Sequence, residues 1–170
     1  FIYSEPVLPL ALYLVSKNIG ASDITLVDEL DDKRVGILNR HAFNPLIRSY
    51  AEVKWSRNPT LTDLFKQLGD ERADYALLDK LTLDELNLLL LAEGQELLDV
   101  SPTPLITTHY LVSFSKDIPN VEQHVESFNQ AIAEMTSTGR VDVILSPVDY
   151  AKPRVSLLNA SSFERTLRRW

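Results

Sequence analysis

The chain has 170 residues, of which 45% are apolar and 24% charged, enough for one globular domain or two small lobes around a buried core. Its net charge of −7 argues against a general nucleic-acid binder, and its apolar runs, residues 88–92 among them, are far short of the roughly 20 residues of a membrane span. The absence of cysteine excludes disulfides and thiolate chemistry. Charge is unevenly spread: residues 151–170 carry Lys152, Arg154, Arg165, Arg168 and Arg169 against Glu164 alone, net +4, which leaves −11 for the preceding 150 residues.

The chain opens on Phe1 rather than Met, and Phe1, Ile2 and Tyr3 already have strand character. A fragment or processed product is therefore expected, with any targeting signal upstream. Residues 8–15 form an apolar run that reads as strand and ends at Ser16, Lys17 and Asn18. Residues 22–30 read as a short helical turn, with Asp31, Asp32 and Lys33 as a polar tip, and residues 34–38 as a buried strand. Residues 41–50 are expected to form one helix with Pro45 in its first turn, and residues 53–55 a short strand.

From residue 58 the pattern is sharper. Asn58 or Thr60 is expected to cap a helix with Pro59 in its first turn; Leu61, Leu64, Phe65 and Leu68 form one face, and Gly69 suits the left-handed residue at its end. Tyr75, Ala76, Leu77 and Leu78 then make a short buried strand that ends on Asp79. Thr82 and Glu85 have capping-box spacing before a Leu-rich helix that stops at Gly94. Residues 97–100 and 105–115 read as strands. Val121, Val125, Phe128, Ile132 and Met135 recur at helical spacing up to Gly139, and residues 141–145 resume briefly. Pro147 and Pro153 bracket a linker, and Phe163, Leu167 and Trp170 mark one face of a final basic helix within 151–170. Strands alternating with helices define an α/β class with a mainly parallel sheet and flanking helices.

Two site candidates come from this layout. In an open α/β sheet, ligands bind beyond the carboxyl ends of the strands, which singles out Asp79. Asn39, Arg40 and His41 lie where another strand gives way to a helix, where a positive dipole end and a guanidinium favour an anion. His41, His109 and His124 lack metal-ligand spacing, and the chain has no P-loop, no G-x-G-x-x-G and no G-x-S-x-G. A non-catalytic protein without metal or cofactor is the expectation.

The order of these segments resembles the extracytoplasmic solute-binding proteins of the amino-acid ABC-transporter type. Phe1-Ile2-Tyr3-Ser4-Glu5-Pro6 resembles the family's strand-Ser-acid-Pro segment, and LVDELDDKRVGIL (26–38) its "L-x-D-L-x-G-K-x-V-G-V" opening of the second lobe. Residues 64–79 resemble "L-x-x-G-R-x-D-A-x-x-x-D", and residues 109–135, which include Asn129, the return strand "Y-x-L-A-F-S-K" and its helix. The chain departs from the family at two points. Asn39-Arg40-His41 replaces Gly followed by Ser or Thr, and Gly69-Asp70-Glu71-Arg72 is a small insertion.

The resemblance implies a type 2 periplasmic-binding-protein-like fold with one lobe complete and the other partial. Residues 1–16 and 109–150 would be hinge strands and part of the first lobe, 17–108 the second lobe, and 151–170 a basic tail or helix. Asp79 would accept a ligand ammonium, Tyr3, Ser4 and Glu5 would line the first-lobe side of an interlobe cleft, and Thr108 or His109 would lie near the return crossing. The implied function is binding of an amino acid or related polar metabolite, periplasmic or otherwise extracytoplasmic, with an ABC permease as partner. The alternative is a sensory or regulatory domain whose divergent or empty cleft reports to a protein partner.

Overall fold

The computed structural model describes residues 1–145 apart from Ile19 and Phe43. The linker at Pro147 and Pro153 and the basic helix expected within 151–170 lie outside the described residues. The described chain divides into two units, Ala11–Thr107 and Phe1–Leu10 with residues 108–145. Two strands, β2 (Leu8–Ser16) and β7 (Ile106–Tyr110), carry the backbone from one unit into the other.

The larger unit is α/β. Its parallel centre has the order β4 (Lys54–Asn58), β3 (Arg34–Leu38), β5 (Tyr75–Asp79). Beside β5, β2 runs antiparallel, followed by β6 (Asp99–Val100). The short apolar runs become parallel strands because both of their faces are covered. In β3 the four residues after Arg34 are buried, and in β5 the three between Tyr75 and Asp79 are.

One face packs on α3 (Leu61–Gly69) and α4 (Lys80–Ala92). Their buried positions, Leu64, Phe65 and Leu68 on α3 and Leu83, Leu86 and Leu90 on α4, meet Leu38, Ala76 and Leu78 of the sheet. Alternation turns Ile37, Leu77 and Leu14, neighbours in register across three strands, to the other face. Gly36 is where α3 comes closest: a methyl group there would overlap Leu64 Cδ1.

Four local expectations are corrected. The helix expected over 41–50 is two, α1 (Asn39–Ala42) and α2 (Pro45–Ser49). Proline disfavours helical backbone in the residue before it, so Asn44 is extended (φ −60°, ψ 129°) and caps α2 by accepting from the Leu46 N–H. Thr60, not Asn58, caps α3, and Pro59 stands before the cap, because β4 runs on through Asn58. Gly69 is the last helical residue of α3, and the left-handed position falls on Glu71 (φ 57°). The capping box at Thr82 and Glu85 does not form, since Asp79 already caps α4 three residues earlier.

The smaller unit pairs β1 (Ile2–Tyr3) antiparallel with β8 (Ser113–Phe114). The strand expected over 105–115 is thus broken into β7 and β8. α5 (Val121–Ser137) packs on this pair, with Phe114 edge-on to Phe128 at 5.7 Å, and α6 (Arg140–Leu145) follows Gly139. Only Val125 of the α5 stripe is buried; Val121, Phe128, Ile132 and Met135 are half-buried. Among the described residues no helix is long and apolar enough to cross a membrane.

Candidate functional site

Parallel pairing builds the site. Val35, Gly36 and Ile37 of β3 stand level with Tyr75, Ala76 and Leu77 of β5. Both strands pass directly into helices, so residues 39–41 and 79 emerge side by side at one edge. On the other side of β3, Leu38 pairs with Asn58 of β4, two residues before the cap of α3. The amino ends of α3 and α4 therefore both reach this edge, each adding a partial positive charge.

Asp79 is the centre of the constellation. Its Oδ1 accepts from the Thr82 backbone N–H at 3.0 Å, which caps α4. Its Oδ2 accepts from Arg40 Nη2 at 2.8 Å and from the Thr82 hydroxyl at 2.9 Å. Arg40 is held at two further points: Nη2 also donates to Thr82 Oγ1 at 3.0 Å, and Nε to His41 Nε2 at 3.0 Å. His41 is buried, and its Nε2 lies 3.5 Å from Asp79 Oδ2. Burial pushes the Asp79 carboxyl up, but its polar neighbours at His41, Thr82 and Arg40 outweigh that and hold it well below the ordinary carboxylate range.

Beside this group lies a cavity of about 230 Å³. Asn39, Arg40, Thr60, Thr82 and Glu85 give it a polar wall, and Leu38, Pro59 and Leu61 an apolar one. A drug-sized ligand pocket occupies roughly 300–1,000 Å³, so this is the size of part of a site. A larger cavity of about 410 Å³ lies at the amino ends of β3 and β5, where Arg34 and Asp74 are bonded to each other at 2.7 Å. It is at the wrong edge for the strand-end rule.

Asp79, Asn39, Arg40 and His41, singled out by sequence, thus come together in one unit. Thr60, Thr82 and Glu85 were missed; the readable signal for Thr82 was its place three residues after an acid at a strand end, the spacing of a cap and its partner. Tyr3, Ser4, Glu5 and Thr108 belong to the smaller unit. Tyr3 is exposed and Thr108 half-buried on β7. Ser4 is buried and its hydroxyl is committed to backbone, accepting from the Val112 N–H and donating to the Glu5 carbonyl. The Glu5 N–H donates to Asn129 Oδ1 at 2.9 Å, which ties β1 to α5. His109 is exposed. Among the described residues no group of His, Asp and Glu has the arrangement to hold a metal ion.

The mixed sheet with its parallel centre and packed helices is that of a type 2 periplasmic-binding fold. Known structures share it. A mutant of the ArgBP protein from T. maritima matches at 21% identity with a TM-score of 0.58, over 85% of this chain and 59% of that one. The amino acid ABC transporter substrate-binding protein AbpA from Streptococcus pneumoniae, bound to L-arginine, matches at 15% identity and a TM-score of 0.58, over 98% and 62%. The GluR0 ligand-binding core from Nostoc punctiforme, in complex with L-glutamate, matches at 21% and 0.52, over 81% and 59%. These neighbours are binding proteins, and the chain spans about three fifths of their length. No protein-family model matches the sequence, and no curated protein does.

Proposed function

We propose that this chain supplies half of a non-catalytic binding site for a small polar solute, in an extracytoplasmic protein that delivers the solute to an ABC permease. In this reading residues 11–107 act as the second lobe, and residues 1–10 with 108–145 belong to the hinge and the first. The observation that carries it is the convergence of Asn39, Arg40 and His41 with Asp79, at the carboxyl ends of adjacent parallel strands and beside two helix amino ends. The fold shared with AbpA, an ABC transporter substrate-binding protein, supports the same assignment.

Binding would act by lobe closure: a ligand held on one lobe recruits the other through contacts made only in the closed state. A cavity of about 230 Å³ holds part of a small molecule, and the remaining contacts must offset the orientational freedom lost on closure. The test is isothermal titration of this chain beside a full-length protein that has both lobes complete. The expected result is measurable affinity for the two-lobed protein and little or none for the chain alone. Equal affinities would place the whole site within these residues and end the two-lobe mechanism.

A second reading is a sensory domain with a divergent cleft that signals to a protein partner. The Arg40–Asp79 bond favours it, because it fills with a protein cation the acid that the family resemblance assigns to a ligand ammonium.

A further inference from the structure

We propose that Glu85, in place of Asp79, receives the cationic group of the ligand in this half-site, an ammonium or a guanidinium. The inference rests on the solute-binding reading above and names the residue that sets its ligand class.

The first element is the withdrawal of Asp79. Its carboxylate accepts from Arg40 Nη2, the Thr82 hydroxyl and the Thr82 N–H, and its side chain is only 14% exposed. A ligand cation reaches this acid only by expelling Arg40 from its bonds to Asp79, Thr82 and His41.

The second element is the carboxylate that the start of α4 leaves over. Thr82 and Glu85 have the spacing of a capping box, in which the acid would close on backbone. Asp79 caps the helix three residues earlier, and the Thr82 hydroxyl is committed to Asp79 and Arg40. Glu85 therefore has no cap to close, and stands on the same face of α4 as Thr82, about a turn further on. It is half-buried, lines the cavity, and makes no hydrogen bond or ion pair among the described residues. The nearest cations in the sequence of this edge are engaged elsewhere, Arg40 with Asp79 and Lys80 with Asp84.

The third element is what a ligand does to that carboxylate. Arg40 answers the charge of Asp79, so the uncompensated negative charge of the cavity wall sits on Glu85. A molecule entering the cavity strips water from it. A neutral group gives nothing in return, and a carboxylate or phosphate placed there adds repulsion. An ammonium or guanidinium replaces the lost water with a charge-assisted hydrogen bond. The unpaired acid thus favours the cation and penalises its neutral analogue at the same time.

The test uses a full-length, two-lobed protein and matched pairs that differ by a single cation. L-Leucine with L-2-hydroxyisocaproate tests an α-ammonium, L-lysine with L-norleucine a side-chain ammonium, and L-arginine with L-citrulline a guanidinium. Titration calorimetry on the unmodified protein should favour the cationic member of at least one pair by roughly tenfold or more, the scale of one hydrogen bond to a charged group. The pair that shows it locates the cation on the ligand. Glu85→Gln should remove most of that preference and change the affinity of the neutral member little. Glu85→Ala serves as the second variant if Glu85→Gln folds poorly in a circular-dichroism melt. Asp84→Asn deletes the same charge from the adjacent residue, whose carboxylate is bound to Lys80, and should leave the preference in place. Preference for the neutral members, a cationic preference that neither Glu85 variant moves, or one that Asp84→Asn lowers equally overturns the inference and leaves solute binding intact. A solute outside these pairs is judged in the same way: it supports the inference if it carries a cation and loses roughly tenfold in affinity on Glu85→Gln, and overturns it otherwise. If a broad panel of amino acids, amines, organic acids, sugars and short peptides binds neither the unmodified protein nor any variant, the solute-binding reading falls as well.

Discussion

Asp79 shows how one side chain serves two ends. As the last residue of β5 it caps α4, and through the same carboxylate it holds Arg40, 39 positions earlier, in the adjoining strand-to-helix turn. The strand-end rule makes the acid conspicuous in the sequence, and the i to i+3 spacing to Thr82 makes the cap readable in retrospect. The partnership with Arg40 was not readable, because it depends on β3 and β5 being parallel neighbours in a register that brings residues 39 and 79 level. Removing the carboxylate should be felt in stability before any ligand is considered. Asp79→Ala deletes the cap and should lower unfolding free energy by about 0.5–2 kcal/mol, whereas Asp79→Asn retains a capping oxygen and should cost less. Denaturant midpoints at constant slope would measure both, and equal losses for the two variants would show that the ion pair rather than the cap carries the stability.

Among the elements, the positions that differ from expectation each have a local cause. Pro45 splits one expected helix into α1 and α2 by holding Asn44 extended, and Asn44 then becomes a cap. β4 outlasts its apolar residues and takes in Asn58, which moves the cap of α3 on to Thr60. The turn at Asp70–Arg72 absorbs the reversal after α3, with the left-handed backbone on Glu71 rather than on glycine. Gly36 is the opposite case, a glycine whose need is tertiary: its φ is unremarkable, but α3 crosses β3 so closely that Leu64 occupies the space of a side chain. Leu64 is itself buried, so a methyl group must push it against Phe65 and the rest of the packed cluster. Gly36→Ala should therefore destabilise by about 1–3 kcal/mol, the usual cost of overpacking a tight core. A Leu64→Ala change in the same protein should recover part of that loss. An unaltered melting temperature for Gly36→Ala alone would mean that the helix shifts without cost.

For the molecule as a whole, acid is the condition that separates the forces involved, because three aspartates of the larger unit are held below their ordinary range. At Asp74 the hydrogen bond from Arg34 is the main cause. At Asp79 and Asp99 burial pushes upward, and polar neighbours outweigh it: His41, Thr82 and Arg40 at Asp79, the N–H groups of Ser22 and Gly20 at Asp99. A carboxyl lowered by folding binds its proton more readily in the unfolded chain. The stability it adds is therefore present above roughly pH 4 and is lost as pH falls toward the lowered values. Thermal melts followed by circular dichroism should change little between pH 7 and about 5 and decline below about 4. Asp79→Asn should make that decline shallower; a parallel curve would remove Asp79 from the acid response.

Much of the architecture was legible in residues 1–145 because it rests on local chemistry: short apolar runs that need cover on both faces, helical spacing of leucines, and glycines that end helices at Gly94 and Gly139. These are interactions over a few positions, and their period survives in the sequence. The same is true of Asp79 and of Asn39, Arg40 and His41 as candidates, since each sits where a strand period gives way to a helix period. Strand order and register are different, because they are settled by which apolar faces find cover against one another. Only they bring the guanidinium of Arg40 to the carboxylate of Asp79, and so turn an apparent acceptor for a ligand's ammonium into one already filled by the protein itself.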